Sequence, residues 1–259
     1  MNMKNGTKIN HLLQDFPKNV VVVNNWLERK GVYSQLVVQY VKNQWIQRIG
    51  HGAYKRTGDR VEWFGGVYAL QTQLGMSVHP AAKTAVTLLG AAHYLPVSGE
   101  LSKVFLFGGQ KEKLPYWFKK NDWNIKIDYR MSGLFGKEKE LGFTEYNCGN
   151  FSIKISSLER AAIEMCYMAE TGGSFDELDK IMENLFSLRP DLVQKLLENC
   201  SSIKAKRLFM FFSERHNYDW VKDVSLDNVN FGSGKRALCK AGVYNLKYKI
   251  VIPEQFSHG

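Results

Sequence analysis

Apolar residues near the start of the chain recur at helical spacing, and this pattern constrains the fold more than any other feature of the sequence. Four of them fall at i, i+3, i+4 and i+7, on one face of a helix: Ile9, Leu12, Leu13 and Phe16. Pro17 follows and predicts the end of this helix, because proline cannot donate a backbone hydrogen bond.

Two more short helices are predicted before residue 43. Asn24 or Asn25 is the expected N-cap of the second helix, which stops at Gly31. Ser34 is the expected N-cap of the third helix. The inward face of that helix is predicted to hold Leu36, Val37, Tyr40 and Val41. The segment 30–33 between the two helices has the length of the turn in a helix-turn-helix motif.

A basic hairpin is predicted directly after the third helix. Residues 45–49 favour a strand, residues 50–52 form a Gly-His-Gly turn, and residues 53–56 favour a returning strand. Three helices followed by a hairpin are the element order of a winged helix-turn-helix. We therefore predict that residues 1–60 form a winged-helix DNA-binding domain.

The remainder, residues 61–259, predicts a larger domain of mixed α/β structure, which gives the whole chain an α+β fold. Helices are predicted at 62–74 and 80–92, and the sequence leaves open with which domain they pack. Pro96, Ser98 and Gly99 suggest a boundary. Further strands are predicted at 103–107, 124–129 and 151–155, and further helices at 157–169, 174–186, 190–199 and 202–216. A terminal hairpin is predicted within 236–252, around Ala241 and Gly242.

Positive charge is concentrated at the two ends of the chain, whose formal net charge is +10. Residues 1–60 hold ten Lys and Arg against three acidic residues, and residues 201–259 hold ten against five. The middle of the chain, 61–200, holds fifteen against seventeen. Clustered basic charge favours binding to phosphate backbones, without sequence preference.

The third helix would enter the major groove of DNA. Gln35 and Gln39 share one face of it, and a glutamine amide can bridge N6 and N7 of adenine. Val38 could contact a thymine methyl, whereas Ser34 and Lys42 would hold phosphates. From the wing, the expected contacts to the backbone or minor groove come from Arg48, His51, Tyr54, Lys55 and Arg56.

Other features of the sequence argue against a membrane protein, a metal site or an enzyme. No apolar stretch is long enough to span a membrane, which favours a soluble, cytoplasmic protein. No cysteine or histidine has metal-ligand spacing, so no cofactor is expected. The Asp/Glu-x-Lys pattern of a metal-dependent nuclease is absent from residues 61–259. Gly232 to Lys235 resembles the end of a P-loop but lacks its other required residues.

Several blocks, in fixed order along nearly the whole chain, resemble the AbiEi-type antitoxins of type IV toxin–antitoxin systems. They are LVVQYVKNQWIQRIGHGAYK (36–55), WFGGVYALQTQLG (63–75), HPAAKTAVTLLGAAHYLP (79–96), VFLFG (104–108), KLPYWFKKNDW (113–123), FSIKISSLERAAIEM (151–165) and SSIKAKRLFMFFSERHNYDW (201–220). The resemblance implies a winged helix that represses its own operon by binding inverted repeats in double-stranded promoter DNA. It also implies a C-terminal domain that neutralises a nucleotidyltransferase-like toxin, with direct contact to that toxin left open.

No short motif marks the antitoxin residues, so charge alone suggests them. The six basic positions chosen are Lys204, Lys206, Arg207, Arg215, Lys235 and Arg236. Two alternatives stay open at this point. The first is a DNA-binding regulator whose C-terminal domain senses a ligand or dimerises, and the second is an enzyme such as a nuclease or a nucleotide transferase.

Overall fold

The computed structural model describes residues 3–91, 103–136, 140–169 and 174–256, with side chains from residue 9 onward. The predicted boundary at Pro96, Ser98 and Gly99 lies outside the described residues. Within the described ranges, no helix is both long and apolar enough to cross a membrane.

The chain forms two compact units. Unit 1 comprises residues 1–79, 107–131 and 145–154, and unit 2 comprises residues 80–106, 132–144 and 155–259. The sequence predicts one boundary at residue 60, whereas the two units are divided at other positions. The helix predicted at 62–74 belongs to unit 1, and the helix predicted at 80–92 belongs to unit 2.

Unit 1 begins with a winged helix. Its elements are α1 (Met3–Asp15), β1 (Val22–Val23), α2 (Asn24–Arg29), α3 (Ser34–Lys42), β2 (Ile46–Gly50) and β3 (Ala53–Arg56). The three strands form an antiparallel sheet in the order β1-β3-β2. The sequence predicts every one of these elements except β1, because two fully buried residues show no polar–apolar alternation.

The core of the winged helix is formed by the predicted apolar faces together with β1. The most buried side chains include Phe16, directly after α1, and Val22, Leu27 and Tyr40. Each is at most 2% exposed. Burial of such side chains contributes roughly 1.5–3 kcal/mol each. This core therefore fixes α3 and the hairpin on a common scaffold.

The N-caps predicted for α2 and α3 are both wrong. Val23 and Tyr33 are the N-caps of α2 and α3, so Asn24 and Ser34 are the first helical residues and no side chain caps either helix. The reason at α2 is that β1 runs directly into the helix, and the Asn24 N–H donates to the Gly52 carbonyl at 3.0 Å.

Unit 1 also contains α4 (Trp63–Thr72), α6 (Tyr116–Lys120) and β6 (Lys126–Met131). Gly65 of α4 lies against the chain before β1, since a Cβ there would come within 2.2 Å of the Asn19 carbonyl oxygen. Two further sheets have the orders β4-β5-β6 and β7-β8. Their other strands are β4 (His79–Pro80), β5 (Lys103–Gly108), β7 (Phe143–Asn147) and β8 (Ser152–Ser156).

Unit 2 is mainly helical. Its helices are α5 (Ala82–Leu88), α7 (Leu158–Met168), α8 (Ser174–Met182), α9 (Pro190–Asn199) and α10 (Ile203–Arg215). Helix α7 lies at its centre and is buried from Glu159 to Cys166. Ser157 and Ser202 cap α7 and α10 through their side chains, and Pro190 opens α9 as predicted.

The end of unit 2 differs from the predicted hairpin around Ala241 and Gly242. The strands are β9 (Arg236–Ala237), β10 (Val243–Asn245) and β11 (Ile250–Ile252). Strand β11 pairs antiparallel with β10 and parallel with β9. The reversal therefore lies at 246–249, where Lys249 adopts a positive φ of 52°.

Candidate DNA-binding surface

Helix α3 presents two different faces. Val37 and Tyr40 point into the core, at 4% and 0% exposure, and Leu36 and Val41 are half-buried. Gly31, with a φ of +73°, ends the α2 region in the left-handed conformation that glycine accepts. The Val32 N–H then donates to the Leu27 carbonyl at 2.9 Å, which fixes the turn leading into α3.

The opposite face of α3 is open to solvent. All five of its predicted DNA-contacting residues are exposed: Ser34, Gln35, Val38, Gln39 and Lys42. Val38 is 61% exposed, so its methyl groups are available for contact. The face therefore combines two amides, one methyl-bearing group and one cation on a helix that a major groove can admit.

The wing is a hairpin with an irregular register. Gln47 faces Lys55 and Arg48 faces Tyr54, but Gly50 faces Ala53, so a bulge lies between Arg48 and Gly50. Gly52 has a φ of +70° in the turn. Arg48 and His51 are both exposed, and they place a cation and an imidazole near the wing tip.

Three wing residues do not lie where the sequence suggests. Tyr54 is 3% exposed and belongs to the core, because it pairs with Val22 of β1 in the centre of the sheet. It therefore offers almost no surface to a DNA backbone, and this prediction is corrected. Its ring instead supports the Arg48 guanidinium, which lies 5.6 Å from the ring centroid.

Lys55 and Arg56 are half-buried and directed at the protein itself. Lys55 Nζ donates to the Asp59 carbonyl at 2.9 Å. Arg56 donates to the carbonyl oxygens of Leu13 and Phe16 at 3.4 and 3.5 Å, at the end of α1. The predicted contact of Arg56 with the DNA backbone is therefore corrected to a structural contact within the protein. A cation at a helix C-terminus stabilises that helix.

A cavity of about 200 Å³ lies where α2, α3 and the wing meet. Its lining includes Ser34 and Val38 of α3, Arg48 and His51 of the wing, and Glu28 of α2. The exposed α3 face and the wing tip are thus continuous around one concave site. Glu28 is the acidic residue of this lining, and its negative charge disfavours a phosphate at that point.

Two features of this surface are not predicted from the sequence. The Asn24–Gly52 hydrogen bond joins the start of α2 to the wing turn, and no local pattern could indicate it. Tyr33, directly before α3, is 67% exposed. The signal in the sequence is its position beside Ser34, because an exposed tyrosine at a helix start offers a hydroxyl to a phosphate.

Two of the six basic residues suggested for an antitoxin surface in unit 2 are buried. Lys206 and Arg207 are 3% and 1% exposed, so both are corrected to buried positions. Arg207 donates to the carbonyl oxygens of Phe231, Gly232, Gly234 and Lys249 at 2.6–3.2 Å. Burial lowers the pKa of the Lys206 ammonium and of the Arg207 guanidinium.

The other four suggested residues divide evenly. Lys204 donates to the Ala169 carbonyl at 2.8 Å, and Arg215 donates to the Phe256 carbonyl at 3.1 Å, so both are half-buried and engaged. Lys235 and Arg236 are exposed, with the Lys235 ammonium 5.0 Å from the centroid of the Tyr244 ring.

No group of three His, Cys, Asp or Glu side chains among the described residues has the arrangement of a metal site. The four cysteines are free thiols, and burial raises the pKa of each. A thiol with a raised pKa carries little thiolate near neutral pH, which makes it a poor nucleophile.

Comparisons with known proteins agree with this architecture. The family model for a transcriptional regulator, the AbiEi antitoxin of a type IV toxin–antitoxin system, matches residues 101–253. The model for the N-terminal domain of the AbiEi antitoxin transcriptional regulator matches residues 5–97. The search of curated proteins found no match.

Among solved structures, the chain resembles the Rv2827c protein from Mycobacterium tuberculosis, with a TM-score of 0.57 at 10% identity. The similarity covers 96% of this chain and 91% of that one, and at this identity it shows a shared fold. Together, the two family models account for both ends of the sequence. The chain therefore belongs to the AbiEi antitoxin family of transcriptional regulators of type IV toxin–antitoxin systems.

Proposed function

We propose that this protein represses its own promoter by binding double-stranded DNA through α3 and the wing, and that it counteracts a toxin without catalysis. The observation that carries the DNA part is the solvent-exposed α3 face, which is continuous with the exposed tip of the wing. The residues of α3 that are not buried in the core have side chains able to contact bases and phosphates.

Each exposed residue has a distinct role in this proposal. Gln35 and Gln39 read bases in the major groove, where a bidentate amide pair with adenine contributes roughly 1–3 kcal/mol of discrimination. Val38 contacts a thymine methyl. Lys42 and Arg48 bind phosphates, and Ser34 and His51 add hydrogen bonds to the backbone. Inverted repeats would be bound by two copies of the chain.

Binding of the full chain to the duplex upstream of its own gene tests this proposal. We expect Lys42→Gln to weaken binding to any duplex and to make the slope of log K against log salt less steep by about 1. Lys195→Gln, which removes an exposed cation from α9, is the matched control and should keep the parent slope. A parent chain that binds no duplex even in dilute buffer contradicts the proposal.

The antitoxin part rests on the family and concerns unit 2. We propose that its functional partner is a nucleotidyltransferase-like toxin. Lys235 and Arg236 are the two suggested basic residues that remain available to a partner, because both are exposed. The chain can neutralise the toxin with or without direct contact between the two proteins.

Co-expression separates antitoxin function from plain regulation. Cells expressing the neighbouring toxin gene should resume growth when the full chain is supplied from a promoter that the chain does not control. A Lys42→Gln chain should still rescue growth, since that residue lies in unit 1 and serves DNA binding. Failure of the parent chain to rescue growth favours a regulator whose second unit senses a ligand or dimerises.

A further inference from the structure

A short helix far along the sequence packs against the wing. Helix α6 belongs to unit 1 together with the winged helix. Gly50 ends β2, the edge strand of the sheet, and a Cβ on Gly50 would lie 2.6 Å from the Cβ of Trp117 in α6. The backbone of the wing and the backbone of α6 therefore meet at a position that only glycine permits.

Helix α6 is firmly held on its inner side. Trp117 and Phe118 are 4% and 1% exposed. A Cβ on Gly66 of α4 would lie 2.8 Å from the Phe118 ring, so this ring is in close contact with α4. Trp123 Nε1 donates to the Phe118 carbonyl at 2.8 Å and fixes the end of the helix. The position of α6 beside the wing is thus set by close packing and a buried hydrogen bond.

The outer side of α6 is basic and aromatic. Tyr116, Lys119 and Lys120 are spaced i, i+3 and i+4, so they share one face. Tyr116 is 67% exposed, and both lysines are exposed. The Lys120 ammonium lies 5.9 Å from the centroid of the Tyr116 ring. In the described part of the chain, neither lysine is paired with a carboxylate.

Two acidic groups near this face accept hydrogen bonds from other residues and form no ion pair with Lys119 or Lys120 in the described part of the chain. The Glu112 carboxylate accepts hydrogen bonds from the Ser77 hydroxyl at 2.6 Å and from the Gly109 N–H at 2.9 Å, so it joins its own loop to the segment after α4. Asp122 is exposed and accepts from the Asn124 N–H at 2.9 Å. Lys111 and Lys113 are exposed in the segment before α6 and add to the positive charge.

We infer that Lys119 and Lys120 of α6, together with Tyr116, form a second contact with the sugar–phosphate backbone of DNA, beside the wing. This inference rests on the proposed DNA binding, and two observations select the occupant. The face carries uncompensated cations, which match a polyanion. Helix α6 also packs on the wing at Gly50, so a duplex held by the wing would pass close to α6.

Contacts of this kind bind phosphate without reading bases. They would increase affinity for every duplex and lengthen the protected region, whereas base discrimination would stay with α3. The C-terminal family segment, 101–253, would therefore contribute to DNA binding through residues 116–120 even though the winged helix ends before it.

The test is the salt dependence of binding by the full chain carrying Lys119→Gln and Lys120→Gln together. The probes are the duplex upstream of its gene and a scrambled duplex of equal length. We expect the slope of log K against log salt to become less steep by about 2 on both duplexes, with the affinity ratio between them unchanged. Lys180→Gln with Lys195→Gln removes two exposed cations from unit 2 and should keep the parent slope.

Two further measurements separate the loss of phosphate contacts from a loss of stability. The thermal midpoint of the double variant should stay within about 2 °C of the parent, because both lysines are exposed. Lys119→Arg with Lys120→Arg should keep the parent slope, since the charge is retained. If the parent binds and the glutamine variant keeps its slope, the role of α6 is refuted while DNA binding by α3 stands. If the parent binds neither duplex, the proposed function itself fails.

Discussion

The side-chain carbonyl oxygen of Gln73 accepts a hydrogen bond from the backbone N–H of Val23 at 2.9 Å. The Gln73 Nε2 donates in turn to the carbonyl oxygen of Val21, also at 2.9 Å. Gln73 follows α4 and is 7% exposed. Its amide pairs with the edge of β1 as a neighbouring strand would, and so joins α4 to the winged helix.

Gln73→Ala should therefore destabilise unit 1. The substitution leaves a buried N–H and a buried carbonyl without partners, and we expect a loss of about 1–3 kcal/mol in the free energy of unfolding. Chemical denaturation of the full chain measures this. Gln47→Ala, at an exposed position of β2, is the control and should change stability by less than about 0.5 kcal/mol. Equal effects of the two substitutions would contradict this role of Gln73.

Arg56 should affect stability and leave DNA binding intact. Because its guanidinium donates to carbonyl oxygens at the end of α1, we expect Arg56→Gln to lower the free energy of unfolding by about 1–2 kcal/mol. At a temperature where the variant is folded, its salt slope on DNA should equal that of the parent. A flattened slope in a stable Arg56→Gln chain would restore the phosphate contact suggested by the sequence.

Tyr40 carries a buried hydroxyl that has no hydrogen-bond partner among the described residues. Burial raises the pKa of this phenol and keeps it neutral. Tyr40→Phe removes an unsatisfied polar group and keeps the ring that fills the core. We expect stability to stay equal or to rise by up to about 1 kcal/mol, as measured by thermal unfolding. A clear loss of stability would reveal a partner for this hydroxyl.

Glu159 couples the stability of unit 2 to pH. Burial acts to raise its pKa, but hydrogen bonds from Arg189 and Ser157 outweigh burial and lower the pKa from 4.5 to about 2. Arg189 Nε and Nη2 lie 2.8 and 3.0 Å from the carboxylate oxygens. Because the pKa is lowered on folding, the ionised carboxylate stabilises the fold above about pH 4.5. This contribution is lost as the pH falls toward 2.

Glu159→Gln should therefore flatten the acid limb of the stability curve. Between about pH 5 and about pH 2, the parent should lose roughly 2 kcal/mol more than the variant. Glu198→Gln, at an exposed position of α9, should follow the parent curve. The measurement is the free energy of unfolding from denaturant titrations at each pH. Parallel curves for the parent and Glu159→Gln would rule out this coupling.

Local patterns predict the helices and the hairpin of the winged helix well because these elements are amphipathic or contain a clear turn. The Ile9–Phe16 face and the Gly31 turn are sufficient to predict α1 to α3. The Gly-His-Gly turn is sufficient to predict the wing. Strand β1 and helix α6 are missed for a common reason. Val22–Val23 and Trp117–Phe118 are buried within very short elements, where no period can be recognised.

Long-range relationships lie beyond such patterns. Nothing around Trp117 indicates that it meets Gly50, and nothing around Gln73 indicates its pairing with β1. Charge misleads at Arg207, because a guanidinium buried by four backbone carbonyl oxygens looks in the sequence like any surface cation. The predicted exposed face of α3 needed only helical spacing, so its placement agrees with the structure.

Helix α3 is proposed to read the sequence of duplex DNA. To test this, affinities for the upstream duplex and for a scrambled duplex are compared between the full parent chain and a variant that combines Gln35→Ala and Gln39→Ala. We expect the parent to prefer the upstream duplex. In the double variant, this ratio should fall by at least about tenfold while affinity for the scrambled duplex stays nearly constant. An unchanged ratio in the double variant would contradict base reading by α3.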